Sequence, residues 1–409
     1  VIAGTGVLRT DRLTVVMVIL LMLGLAPRGW SLDGRASEPF GGTQRAAVVS
    51  SAQDESVVFS RAGGTWVLAY YPTWAQKKGE LSPAGIDYTA MTHVVQFALE
   101  PLSNGELDFS ANGGLTWNMA NALIKEAHAH ACSVIIGIGG WNHDRFAAAI
   151  SPANRTKFIQ NIVKLCTTWK YDGVDIDMEP IRPADSDAYT TFIRSLHGAL
   201  NEANPDLTLT VATQWMPSMF AKIYNDIDRI NLMTYDLAGK WPGFVSWHNT
   251  ALHNGGLKFP GGKVLPSASQ MAQEFLAAGV PKTKLGIGID FAGYVWEGVN
   301  APNQGLETVT KVTTVKYREI MDNYYTSQRY RWHDAAHAPY LSIDVAGTQN
   351  DRFITYDDER SCTEKVRYVK SQGLGGLIVW DISAGFRRSQ PEGSRDLLLR
   401  SVRKAMFGR

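Results

Sequence analysis

At 409 residues the chain is long enough for one large barrel or two ordinary domains. Lysine and arginine total 40 against 39 for aspartate and glutamate, so no global field draws it to nucleic acid, an anionic membrane surface or a charged polymer. Cys132, Cys166 and Cys362 are too widely spaced for a disulfide framework or a short-spaced thiolate metal site; they read as small buried hydrophobes, the other arrangement being one bridge plus one free thiol.

Arg9 and Arg12 precede an apolar run over 13–25, and Gly24-Leu25-Ala26 supplies small residues where a signal peptide is cleaved. Residues 1–26 therefore read as the signal peptide of a secreted or periplasmic protein. The alternative is an uncleaved N-terminal anchor that holds the folded domain at the membrane on its extracytoplasmic side. The stretch 27–63 has no sustained period and reads as leader or linker.

From residue 64 onward, short apolar runs alternate with helix-like stretches. Strands are expected over 66–71, 93–99, 133–137, 173–178, 207–212, 229–234, 284–289 and 377–380. Helical spacing falls between them at 117–129, 156–168 and 187–200; in the last, Phe192, Ile193, Leu196 and Leu200 share a face behind a cap at Asp185. Strands separated by crossover-length helices pair in parallel with the helices outside, and eight such units in roughly 320 residues predict a closed α/β barrel of the TIM (β/α)8 type. The long gap between Ile289 and Leu377 predicts an elaborated segment or small insertion over 291–356, with a helix at 315–325 and extended pieces over 340–356. A basic amphipathic stretch at 394–406 reads as the terminal packing helix.

The fourth expected strand carries the chemistry. Asp175, Asp177 and Glu179 alternate with Val174, Ile176 and Met178, so the acids share one face and the apolar groups the other. Three carboxylates aimed into a barrel are expensive to desolvate, and their place near the C-terminal end of a strand is where barrel active sites lie. A carboxylate beside another resists a second negative charge, so one member keeps its proton near neutral pH and acts as general acid. Glu179, outermost and longest, is the donor candidate; Asp177 orients and stabilises developing positive charge, and Asp175 modulates Asp177 from below. Two competing readings are a Mg²⁺ or Ca²⁺ site, which no accompanying oxygen-ligand loop supports, and an exposed edge strand. No metal or other cofactor is expected.

Other motifs are poorer. Gly137-Ile138-Gly139-Gly140 lacks the lysine and hydroxyl of a phosphate loop and reads as a tight turn; the histidines form no H-E-x-x-H pair, and no G-x-S-x-G elbow occurs.

Asp172-Gly173-Val174-Asp175-Ile176-Asp177-Met178-Glu179 resembles the D-G-x-D-x-D-x-E signature of glycoside hydrolase family 18, the chitinases and related endo-N-acetylglucosaminidases. Gly137 to Gly140 is similar to its S-x-G-G motif, Met233-Thr234-Tyr235-Asp236 to its M-x-Y-D motif, and Gly375 to Trp380 to its final-strand motif. The resemblance implies that 64–409 is a catalytic barrel acting on chitin or N-acetylglucosamine oligosaccharides, with no nucleic acid or obligatory protein partner and with membrane association only through an uncleaved leader. It implies substrate-assisted retaining hydrolysis in which Glu179 protonates the glycosidic oxygen, the substrate's acetamido carbonyl attacks the anomeric carbon, Asp177 holds the acetamido N–H, and Tyr235 its carbonyl. It further implies substrate contacts from Tyr70, Trp141, Gln214, Trp215, Met233, Asp236 and Trp380, with Trp380 beneath the sugar; Trp241 and Trp247 either line the cleft or pack loops. Two departures stand out: Gly137 replaces the motif's serine, and 286–293 only loosely matches the seventh-strand pattern. Two other activities stay open, hydrolysis of a different N-acetylglucosamine glycan and silent carbohydrate binding.

Overall fold

The computed structural model describes residues 64–346 and 349–408; the leader read over 1–63 lies outside them. Fourteen strands occur among the described residues. The first eight are β1 (Trp66–Pro72), β2 (His93–Pro101), β3 (Leu107–Asp108), β4 (Ser133–Gly140), β5 (Gly173–Met178), β6 (Thr208–Thr213), β7 (Arg229–Leu232) and β8 (Leu285–Asp290). Then come β9 (Ala292–Glu297), β10 (Lys311–Lys316), β11 (Tyr330–His333), β12 (Ala338–Ile343), β13 (Arg352–Thr355) and β14 (Gly376–Trp380).

The larger sheet has nine strands in the order β1-β14-β8-β7-β6-β5-β4-β2-β3, and β1 also pairs with β2. Setting aside β3, which pairs antiparallel to the end of β2, the remaining strands are all parallel and close on themselves. This is the expected eight-stranded barrel. Its strands are buried on both faces because helices cover the outside and side chains fill the inside.

The outer helices form where the spacing places apolar groups on one side. Trp117–Ala129 begins at Thr116, whose hydroxyl accepts from the Met119 N–H, and buries Ala120, Leu123, Ile124 and Ala127. Ser186–Ala203 buries Tyr189, Phe192, Ile193, Leu196 and Leu200, and truncating a buried leucine such as Leu196 to alanine costs about 2–5 kcal/mol. Asp185 precedes this helix but does not cap it with its side chain. Its Oδ2 instead accepts from the Arg182 N–H at 2.9 Å and bonds His143 Nε2 at 2.8 Å, which spends the carboxylate on the loop.

Between β8 and β14 stands a separate antiparallel sheet in the order β10-β9-β13-β12-β11. Its own core includes Trp247, Trp296, Val299 and Phe353. The helix expected over 315–325 starts only at Tyr317, because Val315 and Lys316 are paired to Gly293 and Ala292 of β9. A second correction concerns Gly137 to Gly140, which is no turn: β4 runs through Gly140, in register with β5 from Ile135↔Gly173 to Gly140↔Met178. Glycine serves close approach there. Gly139 has φ +127°, and a Cβ on it would lie 1.9 Å from the Asp177 carbonyl oxygen. All three cysteines are buried and unbridged.

Candidate active site

The β5 alternation sorts its side chains as the pattern requires. Val174, Ile176 and Met178 join the core beneath the outer helices, whereas Asp175 is met from inside the barrel by three neighbouring strands. Tyr70 of β1 donates to Asp175 Oδ2 at 2.8 Å, Asn231 of β7 donates to Oδ1 at 3.2 Å, and the Thr210 hydroxyl of β6 also donates to Oδ1. Burial raises the Asp175 pKa, and these three donors pull it back by favouring the charged form.

Two residues along, Asp177 is buried and hydrogen-bonded to Glu179, which is half-buried just beyond the strand end. Burial, then the charges of Glu179 and Asp175, push Asp177 well above the ordinary carboxylate range. A proton on the pair is therefore held more firmly than on an isolated carboxyl group, with Asp177 the member pushed up. Asp177 Oδ1 is buried with no hydrogen-bond partner among the described residues. Such an acceptor suits an N–H donor brought by a ligand.

An aromatic floor adjoins the acids. Trp380, at the end of β14, packs edge-on against Phe97 at 4.8 Å, Tyr70 at 5.5 Å and Trp74 at 6.3 Å between ring centroids. Tyr70, Phe97, Met233 and Tyr235 share one inner cluster, with Trp74 and Trp380 packed on it. A Cβ on Gly137 would meet Phe97 Cδ2 at 3.0 Å, so the Phe97 ring takes the space where the related motif carries a serine.

The strand expected over 229–234 ends at Leu232, because Thr234 uses its side chain in place of a backbone ladder: its hydroxyl donates to the Gly288 carbonyl at 3.0 Å and accepts from the Gly288 N–H at 2.8 Å. The chain then runs on without regular structure through Met233 to Asp236, and Gln214 Nε2 donates to the Met233 and Tyr235 carbonyls at 3.0 and 2.9 Å. Burial first, then the charges of Asp290, Asp177, Glu179 and Asp236, raise the Tyr235 pKa well above the usual phenol value, so its hydroxyl stays a donor. Asp236 is exposed, sits at φ +56°, and accepts a hydrogen bond from the Tyr294 hydroxyl of β9.

Asp175, Asp177, Glu179, Tyr70, Gln214, Met233, Tyr235, Asp236 and Trp380 thus come together at the C-terminal mouth of the barrel. Trp215 is half-buried after β6, its backbone tied to the Thr213 hydroxyl. Trp141 is 50% exposed after β4 and joins none of the ring pairs among the described residues. Trp247 packs a loop: it is fully buried, with Nε1 donating to the Pro266 carbonyl at 2.9 Å. Trp241 packs edge-on against Phe244 at 4.7 Å. Sequence reasoning missed Thr210, Asn231, Trp74, Phe97, Asn249, Asp290 and Tyr294. Asn231 and Asp290 stood out only as polar residues between apolar neighbours, Ile230-Asn231-Leu232 and Ile289-Asp290-Phe291, with nothing local to show which group each meets.

A parallel barrel presenting paired carboxyl groups beside an aromatic floor at its C-terminal mouth is the architecture of a glycoside hydrolase. The sequence profile described as Glycosyl hydrolases family 18 matches residues 67–385, and the chain belongs to that family. It is 28% identical over 399 residues to Chitinase A1 of Niallia circulans, covering 78% of this chain and 56% of that protein. It is 27% identical over 372 residues to Chitinase B of Serratia marcescens, covering 71% of this chain and 72% of the relative. In fold it is similar to the Group IV chitinase of Ostrinia furnacalis solved in complex with allosamidin, with a TM-score of 0.71 and 24% identity over 84% of this chain and 99% of that one.

Proposed function

We infer that the chain hydrolyses the β-1,4 bonds of chitin or chitooligosaccharides by a substrate-assisted route with retention at the anomeric carbon. The observation that carries this reading is the hydrogen-bonded Asp177–Glu179 pair, in which burial raises Asp177 and leaves its Oδ1 acceptor without a partner among the described residues. The chitinase names of the two relatives supply the substrate class.

As a sugar with an acetamido group settles over Trp380, its N–H meets Asp177 Oδ1, and Asp177 turns from Glu179 toward the substrate. Glu179 takes up the shared proton and delivers it to the glycosidic oxygen as that bond breaks. The acetamido carbonyl oxygen attacks the anomeric carbon from the opposite face and forms a cyclic oxazolinium ion, whose positive charge Asp177 stabilises. Tyr235 donates to that carbonyl oxygen and orients it. Glu179, now ionised, deprotonates the entering water, which opens the ring and restores the original configuration. From the apolar run over 13–25 we also propose export, with the catalytic barrel outside the cytoplasm.

The test compares wild type and Glu179→Gln on a ladder of chitooligosaccharides and on a glycoprotein, with products resolved by anomer. Wild type is expected to cut the ladder and release the β-anomer, and Glu179→Gln to lose about 10²- to 10⁴-fold in rate while still binding. Cleavage confined to the glycoprotein would reassign the substrate. Release of the α-anomer would overturn retention, and binding without cleavage by wild type would make the protein a carbohydrate-binding module.

A further inference from the structure

Behind the irregular segment from Met233 to Leu237 lies a buried amide that the proposed reaction leaves without a role. Asn249 is fully buried. Its Nδ2 donates to Asp290 Oδ2 at 2.7 Å, and its Oδ1 accepts from the Asp236 N–H at 3.0 Å. The backbone of Asn249 holds the same segment, its carbonyl accepting from the Leu237 N–H at 3.0 Å, while its own N–H donates to Thr355 Oγ1 at 3.1 Å.

Each end of this bracket is anchored. Asp290 Oδ1 accepts from the Ala292 N–H at 2.8 Å, and the Asp290 N–H donates to Asp357 Oδ2 at 3.3 Å. Asp357 is in turn ion-paired with Lys365 at 2.6 Å, both side chains being fully buried. Asp290 therefore decides which way the amide faces: a carboxyl group in either protonation state keeps an oxygen to accept from N–H₂, so the amide oxygen must turn to Asp236. Asp236 has need of that hold. At φ +56° it occupies the left-handed region, which a residue with a Cβ adopts at a cost and keeps only where its surroundings over-determine it.

We propose that Asn249, oriented by Asp290, is a positioning residue that fixes the Tyr235–Asp236 segment for catalysis. The proposal rests on the hydrolytic reading above. Tyr235 must meet the acetamido carbonyl at the moment of attack, and the backbone that carries it has one side-chain tie at the Tyr235 carbonyl, from Gln214, and one at the Asp236 N–H, from Asn249. Loss of the second tie lowers turnover more than affinity, since ground-state sugar contact with Trp380 is untouched.

Asn249→Asp gives the proposal its sharpest form. The variant keeps the shape and an acceptor for Asp236, yet places two carboxyl groups face to face, in a setting that also holds Asp236, Asp357 and Tyr235, with Lys365 beyond Asp357. Burial, then the charges of Asp236 and Asp357, already push Asp290 up to about 8 against the pull of the Ala292 and Asn249 donors. The facing pair holds together while it shares a proton and is driven apart as rising pH removes it. Exchanging the partners, Asn249→Asp with Asp290→Asn, rebuilds the contact in reverse: an amide at 290 donates to a carboxylate at 249, and its oxygen still accepts from Ala292.

The experiment measures kcat, KM and pH profiles on a chitooligosaccharide for wild type, Asn249→Ala, Asn249→Asp and the exchanged pair, with oligosaccharide binding measured in parallel. For Asn249→Ala, kcat is expected to fall about 10- to 100-fold with a smaller change in KM. Asn249→Asp should lose activity from the alkaline side, and the exchanged pair should recover both rate and profile. Should Asn249→Ala fail to fold, Asn249→Asp at low pH carries the test, since its shape is unchanged. An unaltered kcat in Asn249→Ala, an Asn249→Asp profile matching wild type, or an exchanged pair no better than Asn249→Asp would overturn the proposal. Wild type that neither cleaves nor binds the oligosaccharide would overturn the proposed function and this assignment together; wild type that cleaves, with variants indistinguishable from it, overturns this assignment alone.

Discussion

Replacing Tyr70 with phenylalanine removes one of the three donors that hold Asp175 in its charged form and leaves the ring contacts with Phe97 and Trp380 in place. The lost bond is 2.8 Å long between fully buried groups. A hydrogen bond to a charged group contributes about 1.5–3 kcal/mol, and losing it raises the Asp175 pKa. The direction follows from the local balance: burial raises Asp175, and Thr210, Tyr70 and Asn231 lower it, so subtracting Tyr70 lets burial prevail. Asp175 and Asp177 interact, the Asp175 charge raising Asp177, so protonating Asp175 changes how the site holds its proton. The acidic limb of kcat/KM in Tyr70→Phe should therefore move to higher pH. Stability obeys the same sign. A folded pKa raised above the unfolded value near 4 leaves the two proteins equal with respect to this charge below that pH, and the variant's deficit is complete only above its new folded pKa. The assay is kcat/KM on a chitooligosaccharide across the acidic range, paired with thermal denaturation at each pH. Thr210→Val and Asn231→Ala should shift the limb in the same direction. An acidic limb that stays in place, or moves down, would refute the account of Asp175.

Two further outcomes test the scaffold and the floor. Lys365→Met leaves Asp357 buried without its ion-pair partner, and stability by chemical denaturation should fall by about 3–5 kcal/mol. Trp380→Ala removes the plane beside Phe97, Tyr70 and Trp74, and oligosaccharide affinity should weaken about tenfold, the equivalent of about 1.4 kcal/mol, as read by calorimetric titration on a Glu179→Gln background.

The barrel was legible because its strands are short apolar runs set apart by amphipathic helices, a pattern that local burial imposes. Where the pattern misled, a local rule met a nonlocal one. Glycines at 137–140 read as a turn, yet the strand continues because the Asp177 carbonyl lies too close to Gly139 for a Cβ. Val315 and Lys316 have helical spacing, but pairing with β9 claims them as strand. Within the site, Asp175, Asp177 and Glu179 were visible since two-residue periodicity puts them on one face. Thr210 and Asn231 were not, because residues on β6 and β7 reach Asp175 only once the barrel closes.

The sequence by itself determined the order and identity of the three acids: strand periodicity is a property of neighbouring residues, and it aligns them without help from the rest of the chain. Only the tertiary structure decided how those acids share charge. The raised pKa of Asp177, the three donors on Asp175 and the bracket from Asp290 through Asn249 to Asp236 depend on burial and register. Both are set by strands and an inserted sheet distant in sequence, and no local pattern records them.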